Sequence, residues 1–180
     1  FAACEDGNGS LAVLDLHAAR ERVLLAGIMA RADAGPAEQE PLLVQSVALT
    51  AHAFAAVTER GSALERLGMA LEPFGGSSVV VRAVPPGLDG VDMAALLPAL
   101  APLLPEGEPT YADLLSVAQE MACRAAGLEA REMGAAELLA LARALDEVGS
   151  PTPCRHSAVV LLEVPLLELL RRAGGDLPKI

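Results

Sequence analysis

The stretch Leu11-Ala-Val-Leu-Asp-Leu-His-Ala-Ala-Arg-Glu-Arg-Val-Leu-Leu-Ala-Gly-Ile-Met-Ala-Arg-Ala32 changes its hydrophobic pattern partway along. Leu11 to Leu14 is a short apolar run, bounded by Gly7-Asn-Gly9 before it and Asp15 after it, and reads as a hairpin arm and a buried strand. From Ala18 to about Ala32 strong helix formers take over, with Val23, Leu24, Ile28 and Met29 on one apolar face. A strand that hands over directly to a helix sets the expectation of a mixed fold, α/β or α+β.

Outward from that stretch, Ala34-Gly-Pro36 breaks the chain. Leu42 to Leu49 resembles a strand, and His52 to Leu67 a helix ended by Gly68. Leu71 to Phe74 and Val79 to Val84 predict a β-hairpin closed by Gly75-Gly76 and ended by Pro85-Pro86. Asp92 to Leu104 reads as a Leu/Ala helix that Pro98 and Pro102 should bend or divide. Pro105 to Pro109 is a linker. Tyr111 to Ala126, ended by Gly127, and Ala135 to Val148 predict two further helices. Gly149 to Pro153 is a loop, Ser157 to Val164 a strand, and Pro165 opens a last short helix to Arg172. The breaks at Ala34 and Pro105 suggest an insert between two halves of another subdomain.

Composition narrows the function. At 180 residues the chain is one domain, or two small subdomains sharing a core. With 53% hydrophobic and 21% charged residues it is not intrinsically disordered. Aromatics at 2% argue against holding single strands by base stacking. The balance of 13 basic to 24 acidic residues gives a formal charge of −11, which excludes tight DNA binding by charge alone. Metal ions, a local basic patch or a partner would have to supply that affinity. The most apolar stretch, Val91 to Leu104, falls short of the about 20 residues of a membrane span. Without a basic n-region at Phe1, no signal peptide is expected, and three Cys argue against a disulfide framework. A reduced, cytoplasmic setting is the expectation.

Common catalytic motifs for phosphate cradles, nucleophile elbows and zinc proteases are absent. What stands out is the placement of the soft ligands. Asp15 and His17 sit where strand gives way to helix, and Glu21 lies one turn beyond His17 on the same face. Cys123 falls near the end of the Tyr111 helix, and Cys154-Arg-His156 lies on a proline-rich loop before a strand. Carboxylate, imidazole and thiolate from three such places could build a site for Zn or Mn. Spacing alone leaves a second reading open, in which Cys123 is packing and His17 caps a helix. Cys4 and His52 have no partner nearby in sequence and read as structural.

These residues also carry a resemblance. Asp15-Leu-His-Ala-Ala-Arg-Glu-Arg-Val-Leu24 is similar to the D-Q-H-A-x-x-E segment of endonuclease-type MutL mismatch-repair proteins. Met121-Ala-Cys-Arg124 resembles that family's A-C-R motif, and Cys154-Arg-His156 the start of its C-P-H-G-R-P motif. Gly68-Met-Ala-Leu-Glu-Pro-Phe-Gly75 and Val81-Arg-Ala-Val-Pro85 resemble the family's G-F-x-x-E-x-F-G and V-R-x-V-P stretches. Departures are plain: Leu16 stands where the motif has Gln, Ala26 where its extension has Glu, and Ser157-Ala158-Val159 where it has G-R-P.

The resemblance implies a dimerisation and endonuclease subdomain from residues 1–33 and 110–180, with a regulatory subdomain inserted at 34–109. It implies that Asp15, His17, Glu21, Cys123, Cys154 and His156 form one metal site, with Asp15, His17 and Glu21 catalytic. The implied activity is nicking of one DNA strand in mismatch repair, with Mn²⁺ catalytic and Zn²⁺ structural or regulatory. Asp15 and Glu21 would take the harder ion, Cys123 and Cys154 Zn²⁺, and His17 and His156 would bridge or complete the set. A non-catalytic dimerisation module with a degenerate site is the alternative. Gln39-Glu-Pro-Leu-Leu-Val44 resembles the family's sliding-clamp motif, with Gln39, Leu42, Leu43 and Val44 as contacts and Val44 in place of Pro. Further implied partners are a second copy through about Val159 to Leu170, MutS, and double-stranded DNA held weakly. ATP would enter only through an N-terminal domain.

Overall fold

The computed structural model describes residues 1–5, 10–34, 41–127, 133–148 and 161–172. It is an α+β fold with two antiparallel three-stranded sheets. The first joins the two ends of the chain. Strand β1 (Ala2–Glu5) pairs with β2 (Ser10–Leu14), and β2 pairs on its other side with β6 (Leu161–Pro165). The register sets Ser10 against Pro165 and Leu14 against Leu161. Helix α1 (Leu16–Ala34) follows β2 after the single residue Asp15, whose Oδ1 accepts from the Ala18 amide at 3.1 Å. That contact caps the helix and accounts for the abrupt change of hydrophobic pattern.

The second sheet comes from the middle of the chain, in the order β3 (Pro41–Ala48), β5 (Ser78–Ala83), β4 (Ala70–Pro73). Its hairpin turns through Gly75 and Gly76, at φ 63° and 58°, left-handed angles that side chains disfavour. Helix α2 (Ala51–Glu59) is capped by Thr50, and α3 is Ser62–Arg66. The sequence predicted one helix across these two. It breaks because the chain folds back so tightly at Gly61 that a Cβ there would stand 2.5 Å from the Val57 carbonyl oxygen. Helix α4 (Met93–Leu100) starts at Asp92, whose carboxylate accepts from the Ala94 and Ala95 amides. Pro98 lies inside α4, and the helix gives way to a 3₁₀ turn, Ala101–Leu103, at Pro102, one of the two prolines expected to bend or divide it. The linker is tied back by Arg60 to the Leu104 carbonyl and by Arg66 to that of Pro109, each at 3.2 Å.

Helices α5 (Tyr111–Gly127), α6 (Ala135–Val148) and α7 (Leu166–Arg172) complete the order. Pro165 ends β6 rather than opening α7, and β6 is described only from Leu161. Helix α5 packs on α1, and the two share one core with the middle sheet. Leu25, Ile28 and Met29 of α1 meet Leu114, Val117, Ala118, Met121, Ala122 and Ala125 of α5 there. The alanines at 118, 122 and 125 form a small-residue stripe that lets the helix axes approach closely. A second, smaller core of Leu14, Ala18, Ala19 and Leu141 lies between β2, α1 and α6.

Candidate metal centre

Helix α1 presents His17 and Glu21 one turn apart, as their spacing predicted, with His17 Nε2 3.5 Å from Glu21 Oε2. The two side chains differ sharply in environment. That of His17 is 40% exposed and that of Glu21 only 2%. Glu21 is the one charged residue buried in the core among the described residues. A carboxylate removed from water is costly unless paired or bound to a cation. Cys123 reaches the same place from α5, because the alanine stripe beside it holds that helix close to α1.

One ligand atom from each of His17, Glu21 and Cys123 lies within 4.8 Å of the others. Among the described residues this is the only set of three His, Cys, Asp or Glu side chains so gathered. The donor set is nitrogen, oxygen and sulfur. That mixture suits Zn²⁺, and its imidazole and carboxylate suit the harder first-row ions. Bonds of about 2.0–2.3 Å fit donors at this spacing. The residues present therefore fit a divalent metal.

The other expected ligands fall in different places. Asp15 caps α1 and does not belong to the three-donor group. Cys154 and His156 lie outside the described residues, as does Gln39 of the clamp-like segment. Leu42, Leu43 and Val44 belong to β3, an edge strand of the middle sheet, beside a register shift between Pro41 and Gln45. Cys4 lies in β1, and His52 is exposed in the first turn of α2. The capping role of Asp15 is one that sequence reasoning passed over. Its signal was the acidic side chain immediately before a run of helix formers.

An α+β domain that closes a sheet from its two chain ends and sets His, Glu and Cys donors together defines a candidate metal-binding scaffold. The model of the MutL C terminal dimerisation domain family matches residues 1–133. The chain is 42% identical over 182 residues to the DNA mismatch repair protein MutL of Myxococcus xanthus, covering 96% of this chain and 29% of that protein. It is 36% identical to the MutL of Anaeromyxobacter sp. (strain K), over 95% of this chain and 29% of the relative. Against the MutL of Heliobacterium modesticaldum the identity is 33%, over 93% of this chain and 26% of the relative. The chain belongs to the MutL C-terminal dimerisation domain family. It spans under a third of the length of these curated relatives.

Proposed function

We propose that this domain pairs two copies of a MutL protein and nicks one strand of double-stranded DNA during mismatch repair. In this reading residues 1–33 and 110–180 form the dimerisation and endonuclease subdomain, and residues 34–109 a regulatory one. The convergence of His17, Glu21 and Cys123 from two helices far apart in sequence is what supports it. Those three would hold a divalent ion, with Asp15, Cys154 and His156 completing the set. Mn²⁺ would serve hydrolysis and Zn²⁺ structure or regulation. When bound, such an ion polarises a phosphate oxygen and lowers the pKa of a water.

The chain's own contribution is placement. Glu21 anchors the site from within the core, while the half-exposed His17 marks the side open to a phosphodiester. A net charge of −11 repels DNA, so a cation held at this position also offsets that repulsion locally. Gln39 to Val44 would dock a sliding clamp that delivers the DNA. MutS and an ATP-binding N-terminal region are further expected partners of the whole protein.

The test uses full-length protein, supercoiled plasmid, Mn²⁺ and the clamp. Glu21→Gln, which keeps the side-chain shape, and Glu21→Lys should each lower nicking by about two orders of magnitude. Both should also lower bound metal by elemental analysis. Wild-type nicking and metal content in both variants would remove Glu21 from the site. The second reading is a pairing module without cleavage; the exposed leucines of β6 and α7 support the pairing that both readings share. It predicts dimers that leave the plasmid intact with every divalent ion.

A further inference from the structure

Asp15 is the single residue between the terminal sheet and α1. Behind it, Leu14 pairs with Ala2 on one side and Leu161 on the other, and its side chain is buried in the smaller core. Ahead of it, the Ala18 amide donates to Asp15 Oδ1 at 3.1 Å and the Ala19 amide to the Asp15 carbonyl at 2.9 Å. Ala18 is inaccessible to solvent, so without the carboxylate its amide would lose a partner that water does not replace. The first turn of α1 holds no acidic residue that could take over the cap. His17 belongs to that turn. Glu21, one turn further on, is fixed by burial, whereas the His17 side chain is half-exposed and has less packing to hold it.

We propose that Asp15 is a positioning residue for His17: its cap ties the first turn of α1 to the terminal sheet and so sets the imidazole against Glu21 and Cys123. The proposal rests on the metal-binding reading above and adds a role that the Asp15 carboxylate plays before any ion arrives. A site whose donors already stand in place binds more tightly, because less freedom is lost on binding. Removing an N-cap weakens the first turn of a helix and lets it fray. Two donors would then keep their places, Glu21 within the core and Cys123 on α5. The third would wander.

The probe is Co²⁺, titrated into full-length protein and followed by the thiolate-to-cobalt absorption that Cys123→Ser abolishes. Asp15→Ser, Asp15→Asn and Asp15→Ala are compared with one another. All three lack the carboxylate, so any bond from it to the ion cancels in the comparison. Ser and Asn still accept from the Ala18 amide, and Ala does not. Asp15→Ala should bind Co²⁺ about fivefold more weakly than the other two. In a His17→Ala background that gap should close, since His17 is the donor that depends on the cap. Equal affinity of the three variants would overturn the proposal. So would a gap that persists without His17, because the cap would then act on the fold as a whole. Wild-type protein that shows no such absorption would instead remove the metal reading itself, and the proposal with it.

Discussion

The two sheets carry the same number of strands and meet opposite fates. In the middle sheet Val79, Val80 and Val81 of the central strand are all buried, and Leu96, Leu97 and Leu100 of α4 are inaccessible. In the sheet made from the chain ends, the edge strand β6 leaves Leu161 at 46% and Leu162 at 53% exposed, and Leu167 of α7 stands at 57%. Among the described residues its core cluster holds four buried side chains, against the broad cluster beneath the middle sheet. The middle sheet therefore completes its interior within one chain. Among the described residues the terminal sheet does not, and its exposed leucines suit a second surface. The family whose model matches residues 1–133 is one of dimerisation domains.

The contrast is broken most forcefully from the middle. Leu97→Ala should cost about 2–5 kcal/mol, because a fully packed side chain leaves a cavity that its neighbours only partly fill. The midpoint of urea unfolding should fall accordingly, and by the same amount at low and high protein concentration. Loss of less than about 1 kcal/mol would show that α4 is not packed as tightly as its burial implies.

The terminal sheet should answer in the opposite manner. Leu162→Asp with Leu167→Asp should leave the unfolding of dilute monomer nearly unchanged, since both side chains already face solvent. In sedimentation equilibrium the same pair should weaken self-association by about a hundredfold, as charge enters an apolar interface. An unchanged dimer would move the pairing surface away from β6 and α7.

How far sequence alone reached follows the same division. Regular elements with strong punctuation were legible. Helix α5 runs Tyr111–Gly127 against an expected Tyr111–Ala126, α6 matches at both ends, and Gly75-Gly76 marks its turn. The break at Gly61 was not legible, because a single glycine inside a helical pattern is usually tolerated. What ends the helix is a backbone approach to Val57 that only the folded chain reveals. Within the site, the one-turn spacing of His17 and Glu21 was readable directly. Their meeting with Cys123 was not, since no periodicity connects α1 with α5; spacing left it open and the family resemblance implied it.

The smallest effect lies at the start of α5, the helix that packs on α1. The Thr110 amide donates to Asp113 Oδ2 at 2.8 Å and its hydroxyl donates at 2.6 Å, while the Asp113 amide donates back to Thr110 Oγ1 at 3.3 Å. This reciprocal cap is built on Asp in place of the usual Glu or Gln. Hydrogen bonds from the Thr110 hydroxyl, and then from its amide, hold the Asp113 carboxyl below its ordinary value of 3.8. A lowered folded pKa means that the unfolded chain takes up the proton first as pH falls. The cap therefore contributes in full above the ordinary carboxylate range, and its contribution fades as pH drops through the lowered folded value. Asp113→Asn should flatten that part of the stability–pH curve while changing stability at pH 7 only slightly, because the side chain is exposed to solvent. Thr110→Val, which removes the hydroxyl, should move the Asp113 titration back toward 3.8 when followed by carboxyl NMR shifts. An Asp113 titration unmoved by Thr110→Val would mean that this cap does not hold α5 in place.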